Sequence, residues 1–233
     1  MDARERLIVA LDVPTADAAR ALVERLAGRV GMFKVGSQLF TAAGPELVRW
    51  IVARGERVFL DLKYHDIPNT VAGAVSGAAR LGVTLLDVHG LGGGAMLVAA
   101  AGARGAASTR LLAITILTSH DAATIDEIGV LGPLGEAVRR LALLARDSGL
   151  DGVVASPHEV GLVRAACGPG FLIVTPGIRP AGAARGDQAR AATPAAALAA
   201  GADYLVVGRP ISEAADPASA ADAVVREMAS AVR

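Results

Sequence analysis

Cysteine is almost missing from this chain: Cys167 is the only one in 233 residues. No internal disulfide can form, which excludes the small stapled scaffolds of oxidising compartments. An excess of one charge is missing too, because 23 basic side chains balance 23 acidic ones. That removes the sequence-independent drive towards nucleic acid or an anionic membrane surface, so neither is expected as a partner. Long hydrophobic runs are absent: Leu111 to Leu117 is too short to span a bilayer, and longer windows are broken by Arg, Asp or Gly. The opening stretch Met1 to Ala10 lacks the apolar centre of a secretory signal, and a cytoplasmic location is expected. No linker or shift of composition divides the sequence, which reads as one domain over residues 1–233. The sharpest scarcity is lysine, present only as Lys34 and Lys63, each inside an apolar run. That placement points to chemistry needing a compact ammonium that can deliver a proton, which arginine cannot do.

What is present is apolar. Hydrophobic residues make up 53% of the chain and charged ones 20%, enough to build a large core and to exclude disorder. Short runs rich in Val, Ile and Leu begin near Leu7, Met32, Val58, Leu85, Leu111, Gly152, Phe171 and Tyr204. Between them lie segments with helical spacing: Ala16 to Leu26, Pro45 to Ala53, Val71 to Leu81, Gly94 to Ala103, Leu134 to Ala145, Pro157 to Ala166 and Pro194 to Ala200, with Ala214 to Met228 last. Apolar strands joined by crossover helices predict an α/β fold with a parallel sheet covered on its faces. Eight such units predict a (β/α)8 TIM barrel, with a doubly wound open sheet as the alternative.

In a barrel the reacting groups stand at the carboxyl ends of the strands. Those positions hold Asp12, Lys34, Asp61, Lys63, Asp87 and His89 over the first four strands, then Thr118 and Ser119, Pro176 and Gly177, and Gly208 and Arg209. The third strand, Val58 to Tyr64, carries most of the argument. Alternation predicts Asp61 and Lys63 on one face and Leu60 and Leu62 on the other, with Asp66 just beyond and Lys34 one strand earlier. An alternating array of acids and ammoniums keeps a lysine charged in a cleft where desolvation opposes it. A structural ion-pair network is the plain alternative, but buried pairs are a poor source of stability. A magnesium site of Asp12, Asp61, Asp66 and Asp87 competes with two lysines that already neutralise those acids. The four histidines lack zinc-binding spacing, so no metal is expected. After the seventh and eighth strands, Thr175-Pro176-Gly177-Ile178-Arg179-Pro180 and Val207-Gly208-Arg209-Pro210 occupy the place where barrels commonly hold phosphate, with Gln188 as a neutral donor between them. Gly90 to Ala95 imitates a dinucleotide fingerprint, but Arg110 stands about 20 residues on where an acid is expected, so that segment reads as a tight turn.

The run Asp61-Leu62-Lys63-Tyr64-His65-Asp66-Ile67-Pro68-Asn69-Thr70 resembles the signature of the orotidine 5'-phosphate decarboxylase family. Ala10-Leu11-Asp12-Val13, Phe33-Lys34-Val35-Gly36, Leu117-Thr118-Ser119, the Thr175 to Pro180 run, Asp187-Gln188 and Val207 to Ile211 resemble that family's other motifs, in order. Gly90 departs from the pattern, where alanine after the histidine is expected. The resemblance implies decarboxylation of orotidine 5'-phosphate to UMP without metal or organic cofactor. It implies Lys63 as proton donor within an array of Asp61, Asp66 and Lys34, Asp12 and Lys34 at the ribose, and Thr118 at the pyrimidine. Arg179, Gln188, Gly208 and Arg209 then hold the phosphate end, with Pro176 among the substrate-binding residues. It also implies a homodimer in which Asp66, Ile67 and Thr70 enter the neighbouring subunit's site. Two rival readings remain: a magnesium-dependent decarboxylase or aldolase of ketose phosphates, and a catalytically silent phosphosugar-binding barrel.

Overall fold

The protein is described by a computed structural model, in which residues 1–180 and 191–231 are placed. In chain order the elements are β1 (Leu7–Ala10), α1 (Ala16–Leu26), β2 (Met32–Gly36), α2 (Ser37–Ala53), β3 (Val58–Tyr64), α3 (Pro68–Ala79), β4 (Leu85–His89), α4 (Gly93–Ala103) and β5 (Arg110–Ile114). They continue with α5 (Ala122–Glu127), α6 (Leu134–Asp147), β6 (Gly152–Val154), α7 (Val160–Cys167), β7 (Leu172–Thr175), α8 (Pro194–Ala199), β8 (Tyr204–Val207), α9 (Arg209–Ser212) and α10 (Pro217–Ser230). Each strand pairs in parallel with the next, and β8 pairs back onto β1, closing an eight-stranded barrel among the described residues. This is the expected (β/α)8 fold, and the open-sheet alternative fails on the β1–β8 pairing.

Strand alternation divides the apolar residues into two cores. Ile8, Met32, Phe59, Leu85, Leu112 and Val174 point inward and fill the barrel as packed layers. Leu7, Val9, Phe33, Leu60, Val88 and Val153 point outward and meet the buried stripes of the helices, such as Leu22, Val23 and Leu26 of α1. The interior is therefore plugged below, and side chains at the carboxyl ends of the strands sit above the plug.

Helix boundaries follow local chemistry. Thr15 caps α1, its side chain accepting from the Ala18 N–H, and the predicted bounds Ala16 to Leu26 are the observed ones. At α2 the expectation of a start at Pro45 catches only the second part. The backbone breaks at Gly44, whose φ of 65° only glycine adopts without penalty, and Pro45 restarts the helix with its fixed φ. The earlier part, from Ser37, carries too few apolar periods to be read from sequence.

Candidate active site

The site begins with an irregularity in β3. Leu60 pairs with Leu86 and Tyr64 with Val88, so β3 advances four residues while β4 advances two. The surplus is absorbed around Lys63, whose φ of 51° makes it the one non-glycine residue with positive φ among the described residues. A left-handed lysine costs about 1–3 kcal/mol unless its surroundings hold it there. The Lys63 N–H donates to Asp87 Oδ1 at 2.7 Å, and Lys63 Nζ forms an ion pair with Asp61 Oδ1. The expected juxtaposition of Asp61 and Lys63 is thus present, but reached through a kink instead of through plain strand alternation.

Lys34, on the neighbouring β2, extends the chain of charge. Its Nζ lies 3.2 Å from Asp61 Oδ2 and 3.2 Å from Asp12 Oδ1. The order across the rim is Asp12, Lys34, Asp61, Lys63, with the sign alternating at each step. Burial alone would raise the Asp61 carboxyl, but Lys34, the Asp87 carboxyl and Lys63 outweigh it and bring the pKa down to about 2. Burial likewise opposes the charge on Lys34, and Asp61 with Asp12 reverse that, leaving its pKa raised. The ammonium occupies the space beside Gly36: a Cβ there would lie 3.1 Å from Nζ.

Above these groups opens a cleft of about 600 Å³, a volume suited to a nucleotide-sized ligand. Phe59, Ile114, Ile116 and Val206 supply its apolar lining, and Asp12, Lys34, Asp61 and Lys63 line it as well. Thr118 reaches it from the segment after β5, Pro176 and Arg179 from the segment after β7, and Gly208 and Arg209 from the end of β8. The cleft therefore combines two ammoniums, apolar surface for a flat ring and two guanidinium groups. Among the described residues no three His, Cys, Asp or Glu side chains are grouped to hold a metal ion.

Comparison with known proteins settles the relationship. Residues 5–224 match the Orotidine 5'-phosphate decarboxylase / HUMPS family. The chain belongs to that family. A protein of Halorhodospira halophila named orotidine 5'-phosphate decarboxylase is 62% identical over 228 residues, covering 97% of each chain. One of the same name from Moorella thermoacetica is 56% identical over 236 residues, covering 98% of this chain and 94% of the other. The crystal structure of orotidine 5'-phosphate decarboxylase from Lactobacillus acidophilus superposes with a TM-score of 0.84 at 39% identity, covering 95% of this chain and 98% of that one.

Three residues carried over from the family resemblance do not join the cleft of their own chain. Asp66, Ile67 and Thr70 are exposed at the start of α3, and Ile67 keeps 66% of its surface. Asp66 Oδ1 accepts from the Ile67 N–H at 2.6 Å. Asp66, Ile67 and Pro68 border a separate rim groove with His65, Leu91 and Gly92. His65 stacks on His89 with ring centroids 5.3 Å apart, and burial, aided by His65 and Lys63, brings the His89 pKa to about 4. The dinucleotide-like run after β4 is a short 3-10 turn, Gly90–Gly92, leading into α4, as the tight-turn reading expects. Gln188 lies outside the described residues. Glu213 lines the cleft without having been singled out from sequence, where it is one acid among many beyond a strand end.

Proposed function

We propose that this protein decarboxylates orotidine 5'-phosphate to UMP in pyrimidine synthesis, as a carboxy-lyase needing neither metal nor organic cofactor. Membership of the family supports the substrate. One observation carries the chemistry: Asp61 is held between the Lys34 and Lys63 ammoniums at a cleft of nucleotide size. Cleaving the bond from C6 to the carboxylate leaves an electron pair on C6 with no imine, thiazolium or β-keto sink to receive it. Fixed positive charge must meet that pair. Lys63 opposes the developing carbanion and transfers a proton from Nζ to C6 as CO2 departs, then regains one from solvent. One proton is consumed for each CO2 released.

The remaining assignments follow the chemistry of the lining. Asp12 and Lys34 take the ribose hydroxyls, and Thr118 takes the pyrimidine. Pro176, Arg179, Gly208 and Arg209, with Gln188, enclose the phosphate, where guanidinium forks match its oxygens. Remote binding of the phosphate then supplies energy for ordering the reacting end. Asp66, Ile67 and Thr70 complete the site of the neighbouring subunit in a homodimer, a reading supported by their exposure away from their own cleft. The chain is read as one domain acting in the cytoplasm; among the described residues no helix is long and apolar enough to cross a membrane.

The test is an ultraviolet assay of orotidine 5'-phosphate consumption by purified protein after exhaustive chelation. Undiminished turnover is expected. Activity lost on chelation and restored by magnesium would favour the enediolate chemistry of the ketose-phosphate rivals, and binding without turnover would favour a silent barrel.

A further inference from the structure

We propose that Asp87, which lies beneath the reacting groups, is a positioning residue for Lys63. Through Oδ1 it holds the lysine backbone in its left-handed turn, and through a proton on Oδ2 it steadies Asp61. The first bond is direct: Asp87 Oδ1 accepts from the Lys63 N–H at 2.7 Å, at the residue where the β3 backbone leaves its regular course. The second follows from an orphan. Asp87 is fully buried, and its Oδ2 has no hydrogen-bond partner so long as both neighbouring carboxyls are ionised. A buried carboxylate oxygen without a donor is expensive, and two carboxylates cannot donate to each other. A single proton on Asp87 removes the conflict, because Oδ2–H then donates to Asp61.

The surroundings decide which acid holds that proton. Asp61 faces two ammoniums, Lys34 at 3.2 Å and Lys63 in closer contact, so it is the ionised partner. Asp87 is faced from β3 by Asp61, Lys63 and Tyr64, while its register partner on β5 is Leu112, which brings no charge. Burial first, and the Asp61 charge second, hold the Asp87 carboxyl well above the usual carboxylate range. Asp87 thereby grips the Lys63–Asp61 pair at both ends, by the backbone of one and the carboxylate of the other. The direction in which Nζ points into the cleft is set from below.

This inference rests on the proposed decarboxylation, and the experiment separates the two. Asp87→Asn reproduces both bonds, with an amide oxygen for Lys63 and an amide N–H for Asp61; Asp87→Leu makes neither and is bulkier, so its fold is checked by circular dichroism. In the orotidine 5'-phosphate assay, Asp87→Asn should keep kcat within about threefold of wild type. Asp87→Leu should lose about a hundred-fold in kcat with KM changed less than about threefold, because reacting atoms are misplaced while binding groups remain. Infrared spectra at neutral pH should contain a protonated-carboxyl C=O band that Asp87→Asn abolishes, a readout independent of turnover. An inactive wild type would sink the proposed function and leave the infrared result to judge Asp87. Full kcat in Asp87→Leu, equal damage in both variants, or absence of the band overturns the positioning role. If Asp87→Leu fails to fold by circular dichroism, impaired kcat in Asp87→Asn or a missing band still overturns it.

Discussion

Asp61 is bound to two ammoniums at once, yet the two lysines are held differently. Lys34 sits between two carboxylates, Asp12 and Asp61, whereas Lys63 pairs with Asp61 from a strained backbone. Lys63→Ala should therefore lower kcat about a thousand-fold or more without unfolding the barrel, since charge and proton source vanish together. Lys63→Arg should not rescue it, because guanidinium gives up its proton far less readily. Steady-state rates check this, and either variant retaining more than about a tenth of wild-type kcat would remove Lys63 from the acid role. The two aspartates pull stability in opposite directions with pH. Asp61, opposed by burial but brought to about 2 by Lys34 and its other neighbours, contributes stability above the unfolded value of about 4 and loses it as pH falls towards about 2. Asp87, pushed up by burial and by Asp61, keeps a proton that the unfolded chain releases above about 4, so stability falls as pH rises past that point. Asp87→Asn removes the second dependence alone. Its melting temperature should gain on wild type as pH rises above about 4, and an offset constant with pH would argue against a buried proton. Asp61 and Lys63 were legible in the sequence because residue types and spacing name them. The left-handed turn that joins them was not, because Asp87 stabilises it from 24 residues away and no local period encodes that.

The ends of β7 and β8 form the other half of the cleft. Arg179 and Arg209 both line it, separated in sequence but each following one of two strands that pair in parallel. If Arg209 serves phosphate, Arg209→Ala should raise KM at least about tenfold for the nucleotide and change binding of the matching nucleoside little. Equal losses for both would assign Arg209 to structure. All eight strand starts were readable to within one residue, β5 starting at Arg110 and β7 at Leu172, because each strand is a compact apolar run buried on both faces. Helices were readable where an amphipathic stripe runs for several turns, as in α1 and α6. The short helices α5 and α9 were not, having six and four residues, too few for a period to repeat, whereas α8, also of six, was read from its alanine-rich run opened by Pro194. Thr118 illustrates the same limit within the site. It lies beyond the observed end of β5 at Ile114, and its motif marked it, although strand length did not.

At the scale of the molecule, the apolar plug of Phe59, Leu85 and Leu112 closes the barrel below the charges, so substrate enters from one rim only. Asp66 and Thr70, exposed where Pro68 starts α3, do not line that cleft. The proposed homodimer has each Asp66 reach the other subunit's Lys63. Mixing inactive Lys63→Ala and inactive Asp66→Ala proteins, and allowing subunits to exchange, tests that arrangement. In the mixed dimer one site collects both defects, while the other receives an intact Lys63 from one chain and an intact Asp66 from the other. Equal amounts exchange to about half mixed dimers, each with one of two sites restored, so activity should climb to roughly a quarter of wild type. A mass-tagged chain verifies exchange independently of activity. With exchange verified and activity still near zero, Lys63 and Asp66 would have to act from one chain, which requires the start of α3 to fold inward across its own barrel.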